Sequence, residues 1–397
     1  MDDRTRILLR RAAAGGTILL LGWLAWRWLR PADYDRPLPP GKPTFIGVSE
    51  RRVPSLADAC ADRKGLRDAL GHSLTFLAKP SARDGYPVGD ASHHRTVKSI
   101  EAFRRILDAS SDPADVEKRL RKDFVFYRGA GWNGRGNMLF TGYYTPVLDG
   151  RRSAGGGFDH PLYRPPPELV MEDGIPRGRR LPDGRIVPWP DRREIEEKKL
   201  LSGRGLELVW LRDPFDAFLA HLQGSVRVRL PGEGEILLGY AGKTDRPYGS
   251  VAGALLSDGK IPKSRRNLAG IRRHFRERPE DLDYLNRNPS YVFFTERPDA
   301  GRTPRGSLNE PLVPFRSLAL DKDIFPRGAL ALVDTKIPGP DGKPRTFRQF
   351  MLVQDTGGAI RAPGRADIYT GIGNEAEKTA GGLYAEGRIY FILLRDK

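Results

Sequence analysis

The last third of the chain most constrains the fold, because it is a succession of short apolar segments with no room for crossover helices between them. From Tyr291 onward these segments read YVFF, RSLAL, ALALVDT, RQFMLVQDT and RIYFILLR. Short strands joined by Gly/Pro turns favour a closed antiparallel or mixed barrel over a doubly wound sheet. The 45 glycines and 33 prolines among 397 residues agree with many turns. We therefore expect a mainly β body with accessory helices.

Helical patterns precede these strands. Apolar residues recur at helical spacing over Ser55–Lys79 and Val97–Ala109, and Asp112 is a candidate N-cap followed by proline at the first position of a third helix. The folded body is therefore expected to begin near Ser55. The first strand is expected at Asn137–Tyr144, within the string FTGYYTP.

The middle of the chain has a different composition. Leu148–Pro190 is rich in Gly, Pro and Arg with little periodicity, which predicts irregular loops. The segments QGSVRVRL and EILLGYAG alternate in polarity and flank the turn Pro231–Gly234, so they predict a β-hairpin. Helical patterns return at Val251–Leu256 and Arg265–Arg278.

The N-terminus has the pattern of an export signal. Four arginines within residues 1–11 precede the apolar run Ala12–Trp26, which ends at Arg27. No small-x-small cleavage site follows, so an uncleaved anchor with its arginines in the cytoplasm is favoured over a cleaved signal peptide, which stays open. Pro31–Pro43 holds five prolines and predicts an extended linker on the periplasmic side of the inner membrane.

Charge and cysteine content narrow the classes of function. The net charge of +17 suits a polyanionic partner, such as nucleic acid, anionic lipid or a cell wall with free carboxylates. The chain has no zinc-finger, RNP-like or basic-zipper pattern, which disfavours nucleic acid. Cys60 is the only cysteine, so an intramolecular disulfide is excluded. No metal-ligand spacing and no phosphate loop is present, so neither a metal nor another cofactor is expected.

Two aspartates are candidates for catalysis. Asp355 ends an apolar strand and precedes Gly357 and Gly358, where the absence of side chains lets a ligand approach the backbone amides. Asp367 lies between Ala366 and Ile368, and apolar neighbours raise the pKa of a carboxyl group. A protonated carboxyl near a charged one is typical of glycosidases. Taken alone, however, an Asp before Gly-Gly also fits a simple turn.

Three short segments rich in aromatic residues could line a groove in which sugars stack, or could equally pack in the core. They are GYYTP, GYAGK and PSYVFF. Tyr143 and Tyr144 are adjacent in a strand and so face opposite sides, which predicts one core residue and one groove residue.

Together, FTGYYTP, QGSVRV, GYAGK, NPSYVFF, GSLNEPLVPFRSLALDKDIFPRGALALVDT and VQDTGGAIRAPGRADIYTGIGNEA resemble the membrane-bound lytic murein transglycosylase A family. The resemblance implies a double-psi β-barrel domain plus a smaller inserted β-rich domain, with the glycan in the groove between them. It also implies an exolytic carbon–oxygen lyase that cleaves peptidoglycan, although the sequence itself does not distinguish exolytic from endolytic cleavage. Proteins of the wall-growth machinery are further candidate partners.

The resemblance assigns domains and site residues. The expected organisation is an anchor at 1–30, a Pro-rich linker at 31–54, barrel parts at 55–147 and 286–397, and an insert at 148–285. The three aspartates of the C-terminal 3D domain fall on Asp334, Asp355 and Asp367. The family's catalytic acid falls on Asp367, with Asp355 as its helper. The candidates for substrate binding are Tyr143, Tyr144, Gln223, Ser225, Tyr240, Lys243, Gly357, Gly358 and Asp334.

Two rival functions stay open, and the N-terminus departs from the family pattern. An inverting hydrolase would use Asp367 and Asp355 as acid and base, and an expansin-like module would bind the wall without turnover. Better-known family members carry a lipidated cysteine, which this chain lacks; its N-terminal run is expected to replace it.

Overall fold

The computed structural model describes residues 32–172, 174–298 and 303–396. Within these ranges the α-helices are α1 Ala57–Ala61, α2 Leu66–Leu77, α3 His93–Ala109, α4 Pro113–Asp123, α5 Arg192–Glu197, α6 Pro214–Gln223, α7 Val251–Ser257, α8 Leu268–Glu277 and α9 Gly373–Gly382. The strands are β1 Phe45–Val48, β2 Phe124–Gly129, β3 Met138–Thr145, β4 Val147–Arg151, β5 His160–Tyr163, β6 Leu169–Glu172, β7 Ile175–Arg180, β8 Ile186–Val187, β9 Glu207–Leu211, β10 Ser225–Leu230, β11 Gly234–Lys243, β12 Val292–Glu296, β13 Ser317–Ala319, β14 Leu330–Pro338, β15 Pro344–Asp355, β16 Arg365–Ile372 and β17 Tyr384–Leu394.

The C-terminal strands form the expected barrel. Six strands pair in the order β17, β14, β15, β13, β16 and β3, and the ring closes because β3 also pairs with β17. The β13–β15 and β16–β3 pairs are parallel, and the other pairs of the ring are antiparallel. Strands β2 and β1 extend the sheet beyond β17. The prediction of a mainly β chain with a barrel is confirmed.

The long apolar runs of the barrel strands are explained by burial on both faces. On β14, Val333 packs with Met351 and Phe391 in one cluster, whereas Leu332 packs in a second cluster with residues of the N-terminal helices, such as Phe103. Strands covered on both sides lose the alternation of polar and apolar residues. Helices α1–α4 therefore cover the outside of the barrel.

The N-terminal boundary of the folded body was predicted wrongly. The body begins before Ser55, because β1, within the expected linker, pairs with β2 along its whole length. Phe45 is buried, and its ring meets Tyr127 edge to face at 5.6 Å between centroids. Strand β2 was also missed, since it follows α4 directly without a turn to mark it. Such a segment joins the fold through long-range pairing rather than local propensity.

The predicted N-terminal helices are present with changed bounds. The expected helix over Ser55–Lys79 is divided into α1 and α2. Gly65 lies at the break with φ of 66°, and a Cβ there would come within 2.7 Å of Val313, so the close approach of the two segments requires glycine. Asp112 caps α4 by accepting a hydrogen bond from the Ala114 amide, as the sequence predicts.

The inserted lobe contains more strand than predicted. Its main sheet has the order β12, β11, β10, β4, β9 and β5, and a smaller sheet contains β6, β7 and β8. The β10–β11 hairpin is confirmed. The expectation of irregular loops over Leu148–Pro190 is wrong, because β4–β8 lie there. Strand β12 was expected in the barrel part but pairs with β11, so the lobe extends beyond residue 285.

The predicted anchor at residues 1–30 lies outside the described residues. None of the helices in the described ranges combines the length and the apolar character that crossing a bilayer requires.

Candidate active site

A groove of about 1300 Å³ separates the barrel from the inserted lobe. The barrel contributes residues of β3, β15 and β16, including Asp355 and Asp367, and the lobe contributes residues of β11, including Tyr240 and Lys243. The start of the expected linker also reaches the groove, where Asp35 lies 3.5 Å from Arg365.

Strand register places both aspartates in one row across the barrel. Ala319 on β13 is the cross-strand partner of Asp355 on one side and of Asp367 on the other. Directly paired residues project from the same face of a sheet. With about 4.8 Å between neighbouring strands, the two aspartate Cα atoms are about 10 Å apart. The row continues, since Asp367 pairs with Thr141, and Thr141 pairs with Tyr384.

Asp367 is a half-buried carboxyl with one hydrogen-bond donor from the protein. The Thr141 hydroxyl donates to its Oδ1. Burial raises the pKa of Asp367, while the positive charge of Arg365 and the Thr141 hydrogen bond act in the opposite direction. The protonated form of Asp367 is therefore stabilised to higher pH than that of an ordinary aspartate. None of the described residues hydrogen-bonds its Oδ2, which leaves this oxygen available to a ligand.

Asp355 is held by three donors. The amides of Ser307 and Thr356 donate to Oδ1 at 2.8 Å each, and the Tyr143 hydroxyl donates to Oδ2 at 2.8 Å. Burial again raises the pKa of the carboxyl, and these hydrogen bonds oppose the rise. Hydrogen bonds to a carboxylate stabilise its charged form. Asp355 accepts three of them and Asp367 accepts one from Thr141, so the charged form is favoured more at Asp355.

The two neighbouring tyrosines divide as expected between groove and core. Tyr143 lines the groove and bonds Asp355. Tyr144 is only 1% exposed and packs with Leu219 and Ala376. Tyr144 also borders the groove, but its ring is enclosed in the interface between barrel and lobe, so its selection as a substrate-binding residue stays a prediction.

Most other candidate residues also lie in the groove. Gly357 and Gly358 follow Asp355 in the β15–β16 loop. Gln223 and Ser225 line the groove but have structural partners: the Gln223 carbonyl accepts from the Tyr144 amide at 3.0 Å, and the Ser225 hydroxyl lies 3.3 Å from that of Thr145. Tyr240 lines the groove and is 42% exposed, so part of its side chain is accessible to a ligand.

Asp334 does not belong to this site. It lies on β14 opposite Arg348 on β15, and its Oδ1 accepts from the Arg348 Nε at 3.0 Å. The residue is absent from the groove lining. Its selection as a substrate-binding residue is wrong, because the strand register gives it a cross-strand ion pair instead.

Sequence reasoning missed three residues of the site. Thr141 was detectable, since it lies two residues before Tyr143 and therefore shares its strand face. Tyr384 and Arg266 had no such signal. Tyr384 is 47% exposed in the groove, and the Arg266 guanidinium lies 3.7 Å from the centre of its ring. They form a flat surface of the kind that stacks on apolar ligand faces.

No group of three or more His, Cys, Asp or Glu side chains in the described part of the chain is arranged to hold a metal ion. The groove lining presents carboxyl groups, hydroxyl groups, backbone amides and basic side chains.

Comparisons with known proteins agree with this geometry. Residues 139–295 match the MltA specific insert domain, and residues 316–393 match the 3D domain. The chain is 32% identical to membrane-bound lytic murein transglycosylase A of Vibrio cholerae over 67% of its length and 68% of the relative's. For the protein of the same name from Escherichia coli K12, the identity is 34%, over 66% and 67% of the two lengths.

Solved structures extend the likeness to the whole body. A membrane-bound lytic murein transglycosylase from Agrobacterium tumefaciens has a TM-score of 0.73 at 29% identity, covering 89% of this chain and 98% of that one. The crystal structure of Escherichia coli MltA with bound chitohexaose has a TM-score of 0.69 at 26% identity, covering 92% and 100%. Taken with the sequence matches, these likenesses show that the chain belongs to the membrane-bound lytic murein transglycosylase A family.

Proposed function

We propose that this chain cleaves the β-1,4 bond between N-acetylmuramic acid and N-acetylglucosamine in peptidoglycan and forms 1,6-anhydromuramoyl ends without using water. The observation that carries the proposal is Asp367, a half-buried carboxyl with a raised pKa in a groove wide enough for a glycan, whose Oδ2 has no hydrogen-bond partner among the described residues. The family relatives are named for this activity, and the Escherichia coli structure was solved with a bound chito-oligosaccharide.

In the proposed mechanism Asp367 acts first as an acid and then as a base. Protonated Asp367 donates to the glycosidic oxygen as the C1–O4 bond breaks. Asp367, now a carboxylate, removes the proton from the muramoyl C6 hydroxyl, whose oxygen bonds to C1. The proton is thus returned to Asp367. Because the nucleophile is the C6 hydroxyl of the substrate itself, the reaction needs no second catalytic carboxylate and no water.

Asp355 supports this chemistry as a fixed negative charge. Its Oδ1 already accepts two amide hydrogen bonds, which use the two lone pairs of that oxygen. The charged form of Asp355 would stabilise the oxocarbenium-like transition state, and its bond to Tyr143 holds the ring that lines the groove. A group with this many donors is poorly suited to take a proton from water, which argues against the inverting hydrolase.

Product analysis tests the function. The soluble body, residues 32–397, would digest purified sacculi, and mass spectrometry would distinguish anhydro ends from reducing ends by the mass of one water. Reducing ends would establish a hydrolase, and no products would favour the expansin-like binding module.

Substitution of the aspartates tests their roles. Asp367→Asn is expected to lower kcat by about 10⁴-fold, the upper end for a general acid–base group, because the amide can neither donate nor accept the proton. Asp355→Asn should cost less, and Asp334→Asn, the matched control outside the groove, should leave kcat unchanged. If Asp355→Asn were inactive while Asp367→Asn stayed active, Asp355 would be the acid and Asp367 the supporting group.

We also propose that residues 1–30 hold the enzyme at the periplasmic face of the inner membrane. The arginines before Ala12–Trp26 support this orientation. After an alkaline carbonate wash the protein should stay with the membrane fraction. Recovery in the soluble fraction with an N-terminus near Pro31 would show instead that the segment is cleaved.

A further inference from the structure

The groove carries an excess of positive charge. Among the described residues, four acidic ones line it, Asp35, Asp323, Asp355 and Asp367, against nine basic ones. The basic residues are Lys243, Lys263, Arg266, Arg297, Arg305, Lys322, Arg327, Arg361 and Arg365. A neutral glycan needs no such surplus, so the excess points to an anionic group on the ligand.

Three of these cations converge from both sides of the groove, and we call Lys243, Lys322 and Arg361 the cation cluster. Lys243 ends β11 of the inserted lobe, whereas Lys322 and Arg361 lie in the barrel loops after β13 and β15. A Cβ on Gly358 would lie 4.0 Å from the Lys243 Nζ, so the ammonium reaches across the groove to the glycine loop. The cluster therefore borders the loop that begins at Asp355.

The charges of the cluster are incompletely neutralised by the protein. Among the described residues, neither Lys243 nor Lys322 forms an ion pair with a carboxylate, and Arg361 has only Asp323 at 3.9 Å, with both side chains largely exposed. Burial lowers the pKa of Lys243, and repulsion from Arg361 and Lys322 adds to this effect, while Asp245 opposes it. When an anion binds between such cations, it reduces their mutual repulsion and offsets the free-energy cost of burying an unpaired charge.

We propose that the cation cluster binds a carboxylate of the peptidoglycan substrate beside the Gly357-Gly358 loop. The proposal rests on the function proposed above, since only muramoyl residues bring a carboxylate to the glycan. Two sources share this chemistry: a carboxylate of the peptide stem, or the lactyl carboxylate that is freed when the stem is removed. The cluster thus distinguishes muramoyl strands from uncharged chito-oligosaccharides.

Three ligands test the proposal. They are strands with peptide stems, the same strands after an amidase has removed the stems, and neutral chitohexaose. Initial kcat/KM is measured on the two strand preparations, and Kd for chitohexaose by calorimetry. Lys243→Gln and, independently, Lys322→Gln remove one charge each. Lys336→Gln is the matched control, because Lys336 is exposed on β14 and does not line the groove. Melting temperatures confirm that each variant is folded.

Lys243→Gln is expected to lower kcat/KM on at least one strand preparation by about tenfold, the usual effect of one charge-assisted hydrogen bond. Chitohexaose affinity should change less than twofold. A loss confined to stem-bearing strands identifies the stem carboxylate, and a loss confined to stripped strands identifies the lactyl group. Equal losses for all three ligands, or no loss with either variant, would overturn the proposal. Product masses test the reaction separately. A hydrolytic product would contradict the proposed function, whereas the proposal of a carboxylate site depends only on how much more the variants weaken action on the strands than binding of chitohexaose.

Discussion

Thr141 offers the sharpest test of how the fold tunes Asp367, the proposed catalytic acid. Its hydroxyl donates to Asp367 Oδ1, and this hydrogen bond lowers the pKa of a carboxyl that burial has raised. Thr141→Val keeps the shape of the side chain and removes the donor. Because the lost bond stabilises the carboxylate more than the acid, the pKa of Asp367 must rise further in the variant.

The magnitude follows from the strength of one hydrogen bond to a charged group. Such a bond contributes roughly 1.5–3 kcal/mol, and a pKa shift of one unit corresponds to about 1.4 kcal/mol. The removal is therefore expected to move the alkaline limb of the pH–rate profile upward by about one unit. The direction of the shift follows from the proposed mechanism, in which the first step needs protonated Asp367. Activity is then lost as pH rises through the pKa of Asp367.

The assay is the pH dependence of kcat/KM for anhydro-end formation on purified strands. Thr335→Val is a matched control, because Thr335 is a buried barrel threonine whose hydroxyl bonds the Glu386 carbonyl outside the groove. Its profile should coincide with that of the unmodified chain. A limb that stays in place, or moves downward, in Thr141→Val would refute the assignment of that limb to Asp367.

Two further predictions concern stability and sugar binding. Because burial raises the pKa of Asp367, the stabilising contribution of this group is present at low pH and is lost as pH rises through the raised pKa. Asp367→Asn should therefore raise the melting temperature at pH 7, by about 2 °C for roughly 1 kcal/mol, and the gain should vanish near pH 3; a lower melting temperature at pH 7 would contradict this reasoning. Tyr384→Ala should raise KM about fivefold through the loss of about 1 kcal/mol of apolar contact with the sugar. Tyr284→Ala, which removes a tyrosine that also carries an arginine over its ring but lies outside the groove, should leave KM unchanged.

Local pattern was enough to predict the elements whose neighbours lie close in sequence. The β10–β11 hairpin follows from two alternating segments and a Gly-rich turn, and α4 follows from Asp112 and the proline after it. Segments that join the sheet through distant partners gave weaker signals. Strand β1 is an example, since four residues in a proline-rich stretch become a strand only because β2 has a free edge.

In the site, too, local sequence pattern predicted some residues, whereas others depend on long-range pairing. The strings around Asp355 and Asp367 identified both aspartates, and the spacing of Tyr143 and Tyr144 predicted that only one of them would face the groove. Asp334 lies in an equally apolar strand, yet the register of β14 against β15 pairs it with Arg348. A shift of register by one residue would turn it to the other face, and no local pattern specifies that choice.

The sequence by itself determined the family, the barrel of short strands, the inserted lobe and the two aspartates of the groove. Only the tertiary structure decided that Thr141 and Tyr384 continue the row from Asp367, and that Lys243 reaches the barrel from the lobe. The physical reason is that periodicity and turn residues act over a few positions along the chain. Barrel closure and the approach of two lobes depend on contacts between residues separated by more than a hundred positions.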